Sequence, residues 1–349
     1  MPRIDEIDRN FKVENDFLKG GLRYASADGA PFVISGVFRE GDKYRRMPEE
    51  AARRVSEGVL FLHTNTAGGR VRFRTASRRV AILARLDAPG KMPHFALSGS
   101  AGFDLYADGH YAGTYLPPMD AEEEWEGVLP LGRKREREIT VNFPLYSGVK
   151  ELYIGLDKDC PAFAPVPYRN PVPAVFYGSS ITQGGCASRP GMSYQAIFSR
   201  AFDADYVNLG FSGNAKAEDA MIDYVKSLSM SLFVYDYDHN APTVDHLRAT
   251  HEKMFRAVRE THPLLPVVVM SRPKFFLNAE EKERLRIIRA TVENARKAGD
   301  GRVWLLDGKA LTRLCRDEGT VDGCHPTDLG FYSMARALES LVRENGILA

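Results

Sequence analysis

The chain has 349 residues, 44% of them apolar, which is enough for two domains of ordinary size, each with its own core. Its 47 basic and 46 acidic residues leave a net charge of +1, which argues against the broad positive field of a nucleic-acid binder or a polybasic membrane protein. Ionisable residues interrupt every long apolar stretch. Four scattered cysteines, Cys160, Cys186, Cys315 and Cys324, include no Cys-x-x-Cys pair and supply neither a disulfide scaffold nor a zinc knuckle.

The opening "MPRIDEIDRNFKVENDF" lacks the basic and then apolar order of a secretory signal. The expectation is a soluble, cytoplasmic chain with free thiols, or a secreted one if a leader was trimmed. From about Phe32 to Leu156 the apolar residues fall in short alternating runs such as "RVRFRTAS" and "REITVNF", separated by turn pairs such as Gly68-Gly69. That pattern predicts an antiparallel all-β sandwich, assigned to residues 1–165. "FDLYADGHYAGTY" is its clearest hairpin, because Asp108-Gly109 supplies the positive φ angles of a type I′ turn. Five aromatics here, Phe103, Tyr106, Tyr111, Tyr115 and Trp125, either fill the core or offer a sugar-stacking surface. The proline-rich "CPAFAPVPYRNPVPA" then reads as an extended surface linker.

Over residues 166–349 the rhythm changes. The runs "AVFYG", "YVNLG", "LFVYDY", "PVVVMS" and "VWLLD" alternate with amphipathic segments, the βα pattern of a parallel sheet. Leu285, Ile288, Val292 and Ala295 mark one helix between Ala279 and Ala298, and the last helix is expected from an N-cap at Thr327 to a stop at Gly346.

In open α/β sheets functional residues gather at the carboxyl ends of the strands. There the sequence places Ser179 and Ser180, then Ser212, Gly213 and Asn214, then Asp238, His239 and Asn240, and finally Asp322 and His325 in "DGCHPTDLG". A serine hydroxyl needs a base, and the base needs an acceptor to hold its tautomer; one Asp-x-x-His loop is short enough to supply both. A glycine amide and an asparagine side chain from two other strand ends are candidate oxyanion donors.

Taken together the blocks "GSSITQG", "NLGFSGN", "DYDHNA" and "DGCHP" resemble, in order and context, those of the SGNH or GDSL-like hydrolase superfamily. The resemblance implies a flavodoxin-like three-layer α/β/α domain in which Ser180, His325 and Asp322 form a triad. It places the oxyanion hole on the amides of Ser180 and Gly213 and the side chain of Asn240. Ser179 stands where the family has Asp, and Asp238 where a glycine is usual. "SGSAGFDLYADG" resembles the GxDLY domain that precedes a subset of these hydrolases, with Gly102 to Tyr106 matching its name motif. What is implied is a metal-free, cofactor-free ester hydrolase acting on a small-molecule or carbohydrate ester, with a short acyl group such as acetyl as the leading expectation. No nucleic-acid or membrane partner is expected, and the oligomeric state is not readable.

Other readings compete. Ser180 could merely cap a helix, and Gly213 and Asn240 could serve turns. Arg272 in "MSRPKFF" is either a solvated loop residue or one whose fork faces the pocket. Asp236, Asp238 and His239 imitate a metal cluster, but consecutive loop residues rarely face one ion. "GSSITQGG" lacks the lysine of a phosphate loop, and "NLGFSGN" lacks the first glycine of a dinucleotide fingerprint. The rival class is a non-catalytic glycan- or protein-binding protein with a degenerate hydrolase domain, for which Ser179 and Asp238 are the support.

Overall fold

The computed structural model of the chain describes residues 20–348. Its first half carries β1 (Leu22–Ser26), β2 (Val33–Ser35), β3 (Phe38–Glu40), β4 (Lys43–Arg45), β5 (Arg70–Thr75) and β6 (Arg79–Leu86). It continues with β7 (Phe103–Ala107), β8 (His110–Tyr115), β9 (Glu124–Pro130), β10 (Arg137–Asn142), β11 (Val149–Asp157) and β12 (Ala162–Phe163). These form a four-stranded sheet of order β1-β11-β6-β9 and a six-stranded one in which β12-β5-β10-β7-β8 are joined by β2 on β5; β3 and β4 pair by themselves. Alternate residues of the two sheets meet in one core: Val80, Ile82, Leu152 and Ile154 from the first, Val71, Phe73, Phe103, Leu105 and Val141 from the second. The β7–β8 turn is the expected one, with φ of 52° at Asp108 and 77° at Gly109. Of the five aromatics singled out above, Phe103, Tyr106, Tyr115 and Trp125 are buried and Tyr111 is exposed.

The all-β reading of this half misses helices. Between β4 and β5 lie α1 (Glu49–Val55) and α2 (Glu57–Leu62), and α3 (Leu97–Ser100) precedes β7. Glutamates open α1 and arginines close it, which suits the helix dipole, and the Ser56 hydroxyl caps α2 by accepting the Val59 amide at 3.2 Å.

In the second half β13 (Asn170–Gly178) leads to α4 (Ser180–Gln183) and α5 (Tyr194–Phe202), then β14 (Ala204–Gly210), α6 (Asp219–Lys226), β15 (Leu232–Asp236) and α7 (Val244–Thr261). β16 (Val267–Met270), α8 (Ala279–Lys297), β17 (Val303–Leu306), α9 (Gly308–Leu311) and α10 (Asp328–Glu344) complete it. The sheet order is β14-β13-β15-β16-β17, and every pairing is parallel. Alternation along β13 sends Ala174 and Phe176 toward α5 and α10, and Val175 and Tyr177 toward α6, α7 and α8.

The apolar packing does not divide at the proline-rich linker. Ala51, Ala52, Val59 and Leu62 of α1 and α2 belong to the same cluster as Val175, Tyr177, Leu209 and Phe211, so the first half supplies part of a helical layer over the parallel sheet. The outer face of β5 is also covered: Arg70 is buried, pairs with Asp205, and lies over the Tyr206 ring at 4.0 Å. Among the described residues no helix is long and apolar enough to cross a membrane.

Candidate active site

β13, β14 and β15 are neighbours, with β13 in the middle, so their carboxyl ends open on one crevice. β13 stops at Gly178, where a Cβ would lie 2.3 Å from the Asp236 carbonyl oxygen. Ser179 then caps α4: its hydroxyl accepts the Ile181 amide at 3.2 Å, and its own amide donates to the Asp236 carbonyl at 3.1 Å. Ser180 becomes the first residue of α4, and its amide is one of the first-turn donors that no intrahelical carbonyl can satisfy.

The Ser180 Oγ lies 2.9 Å from His325 Nε2, and His325 Nδ1 lies 2.7 Å from Asp322 Oδ2. The other Asp322 oxygen accepts the backbone amides of His325 at 2.7 Å and Cys324 at 2.9 Å, so the loop is tied by the same carboxylate that holds the ring. Burial alone would raise the Asp322 pKa; the hydrogen bonds from the His325 ring and from the two amides outweigh it and hold the group at about 2. An ionised Asp322 places the proton on Nδ1 and leaves the Nε2 lone pair facing the Ser180 hydroxyl. Thr327 does precede α10, but its hydroxyl donates to the Gly319 carbonyl at 3.2 Å instead of capping the helix.

Gly213 takes φ +71° just beyond β14, and no hydrogen bond engages its amide among the described residues. Asn240 ends a single 3₁₀ turn after β15. Its Oδ1 accepts the Ala215 amide at 3.2 Å, which leaves Nδ2 as the donor. Gln183 links these pieces: its Oε1 accepts the Ser212 amide at 3.0 Å, and its Nε2 donates to Asn65 Oδ1 at 3.1 Å and the Leu145 carbonyl at 3.2 Å.

The two departures from the family pattern have structural occupations. Ser179 is the cap just described. Asp238 is buried and accepts the Arg272 fork, Nε to Oδ2 at 2.9 Å and Nη2 to Oδ1 at 3.1 Å, while Arg272 Nη1 reaches Glu281 at 3.0 Å. Arg272 is therefore neither solvated nor presenting its fork to a ligand: its donors are taken by two carboxylates. The same pairing dissolves the imitation metal cluster, because Asp238 already faces a cation. Asp236 is buried, and burial together with the Asp238 charge pushes its carboxyl far up, toward the neutral form.

The sequence does not single out the residues through which the first half reaches the site. Tyr146, on the loop after β10, donates to the Ser180 carbonyl at 3.2 Å. Arg46 is buried and has no carboxylate partner among the described residues: it donates to the carbonyls of Gly210 at 2.5 Å and Leu62 at 2.6 Å and lies 4.7 Å from the Phe211 ring, at the root of the Gly213 loop. Asp104 of the "GFDLY" motif is fully buried and accepts Asn142 Nδ2, Arg189 Nη1 and the Gly191 amide, each at 2.8 Å, fastening the sandwich to the segment after α4. The His94 ring sits 5.8 Å from that of His325. None of these four carries a local signal; "GFDLY" alone marked its segment, through resemblance.

The pattern of the GDSL-like lipase/acylhydrolase family matches residues 172–343, and that of GxDLY, the N-terminus of SGNH-hydrolase-type esterases, matches residues 22–161. Among solved structures, a GDSL-like lipase candidate from Bacteroides ovatus is 29% identical, with a TM-score of 0.82 over 93% of this chain and 97% of its own. The salicylyl-acyltransferase of a tetracycline biosynthetic pathway shares the fold at 20% identity, with a TM-score of 0.78 over 94% and 99% of the two chains. An acetyl xylan esterase from the rumen bacterium Butyrivibrio proteoclasticus does so at 13% identity, with a TM-score of 0.60 over 94% and 100%. Comparison with curated proteins finds no significant match.

Proposed function

We propose that this chain, which belongs to the SGNH or GDSL-like hydrolase superfamily with an N-terminal GxDLY domain, cleaves carboxylic esters through Ser180, His325 and Asp322. The observation that carries the reading is the continuous hydrogen-bonded line from Ser180 Oγ through His325 to Asp322, with contacts of 2.9 and 2.7 Å. His325 Nε2 takes the hydroxyl proton as Ser180 Oγ attacks the ester carbonyl. Asp322 balances the imidazolium that results. The amides of Ser180 and Gly213 and the side chain of Asn240 receive the oxyanion. His325 then gives its proton to the leaving alcohol, and the same ring deprotonates the water that releases the acid from Ser180.

The substrate class proposed is a short acyl ester, acetyl above all, on a carbohydrate. Its support is the two-domain likeness to carbohydrate esterases, together with the sandwich loops bearing His94 and Tyr146 beside the triad. An alternative fate for the acyl group on Ser180 is transfer to an acceptor other than water, since one relative of the same fold is an acyltransferase. A non-catalytic role loses its support, since Ser179 and Asp238 have structural work that leaves the triad geometry intact.

The test is turnover by the purified full chain of a chromogenic acetate ester, acetylated sugars and longer acyl esters, with Ser180→Ala as the blank. Acetyl esters cleaved well above the blank, and better than long-chain ones, are expected. No ester cleaved above the Ser180→Ala blank would overturn the reading.

A further inference from the structure

Three segments converge beside the proposed base without all being used by it. His94 comes from the loop between β6 and α3, Cys186 follows α4, and His325 follows Asp322; one ligand atom of each lies within 4.8 Å of the others. Two other donor groups of this size occur among the described residues, and each already holds a cation of the protein. In one, Arg45 reaches Glu40 at 3.1 Å, Glu49 at 2.9 Å and His63 at 2.7 Å. In the other, Arg79 reaches Asp157 at 2.9 Å and Lys134 reaches Asp159 at 2.8 Å. No lysine or arginine among the described residues bonds to the His94 group. Cys186 holds a left-handed backbone, φ 77°, so a side chain is kept where glycine is favoured.

We propose that His94, Cys186 and His325 form a binding site for a soft divalent cation of the zinc class, and that filling it silences the ester-cleaving centre. The second half rests on the role proposed above for His325. Its Nδ1–H is held by Asp322, the carboxylate–histidine arrangement that orients a metal-binding imidazole, so the Nε2 lone pair is the ligand. The cation takes the lone pair that Ser180 Oγ–H now uses. Cys186 forms a sulfur–metal bond and releases its thiol proton to water, His94 adds a neutral ring nitrogen, and water fills the fourth position. Bonds of about 2.0–2.3 Å in a tetrahedron set ligands about 3.3–3.8 Å apart, so the group closes by about 1 Å, a movement within reach of the exposed His94 side chain.

The experiment titrates zinc into chelator-treated full chain while acetate-ester turnover is followed, and separately records the spectrum of the same protein with cobalt(II). Expected are inhibition reversed by chelator and a thiolate-to-cobalt charge-transfer band. Cys186→Ser should turn over ester without zinc, and both it and His94→Ala should raise the inhibitory zinc concentration by about tenfold or more relative to their own zinc-free rates and weaken or abolish the band. Cys324→Ser should keep it. The cobalt spectrum tests the site even if no ester is cleaved. Absence of a thiolate band, or its loss in Cys324→Ser and survival in Cys186→Ser, overturns the site. A band without zinc inhibition of an active enzyme, or equal inhibition of both variants, overturns the silencing.

Discussion

Tyr146 and Ser180 are joined by a hydrogen bond of 3.2 Å from the phenol to the backbone carbonyl, so the sandwich half of the chain touches the peptide unit of the proposed nucleophile. That carbonyl also accepts the amides of Gly184 and Gly185, and the Tyr146 ring packs edge-on against Phe95 at 5.3 Å. Tyr146→Phe therefore removes one of several bonds and should cost about 1 kcal/mol of stability, with ester turnover retained. Tyr146→Ala also opens a gap beside Phe95 and should cost about 3–5 kcal/mol in urea unfolding. Equal costs for the two would remove the packing argument.

A chain begun at Asn170 loses α1 and α2, and with them the cover over Val175, Tyr177, Leu209 and Phe211 and the Arg46 bond to the Gly210 carbonyl at the end of β14. Such a fragment should aggregate or bind apolar dyes, with ester turnover lost even on a minimal acetate ester. Size-exclusion chromatography decides it: a monodisperse, fully active fragment would show that the two halves are independent.

The two serines should separate cleanly. Ser180→Ala should abolish ester turnover and labelling by a serine-directed phosphonate. Ser179→Ala loses only the cap on Ile181, about 1 kcal/mol of stability, and should keep both. The reverse pattern would reassign the nucleophile.

Asn240→Ala removes a side-chain donor whose other end is tied to the Ala215 amide. A fall in kcat of about a hundred- to a thousandfold with little change in KM is expected if that donor serves the oxyanion. A kcat equal to that of the unaltered protein would take Asn240 out of the hole.

His251 makes the fold acid-sensitive. It is buried in α7, 4.9 Å from the Tyr235 ring, with Nδ1 2.7 Å from Thr291 Oγ1, and burial lowers its pKa from 6.5 to about 3. Above pH 6.5 the ring is neutral in both states; as pH falls below that, the unfolded chain binds a proton that the folded one refuses. Stability should fall by up to about 1.4 kcal/mol per pH unit from this group, down toward its folded pKa. Urea unfolding from pH 7 to 4 should show a shallower slope in His251→Gln, and parallel slopes would rule the residue out.

What the sequence determined by itself is local. The β7–β8 turn follows from Asp108-Gly109, α8 from the spacing of Ile288, Val292 and Ala295, and the ring-to-carboxylate contact of His325 from an aspartate three residues earlier on one loop. In each case the partners lie within a few residues, so backbone preference and periodicity carry the information. The meeting of Ser180 with His325, 145 residues apart, was legible only because the blocks around both resemble a family. The placement of α1 and α2 over the parallel sheet, of Arg46 on a carbonyl 164 residues away, of Arg272 on Asp238 and of His94 beside His325 was decided by the tertiary structure alone. A buried arginine, an unexpected aspartate and a loop histidine look alike in sequence whether solvated or paired. Only the packing of distant segments excludes water from them and forces the choice of partner.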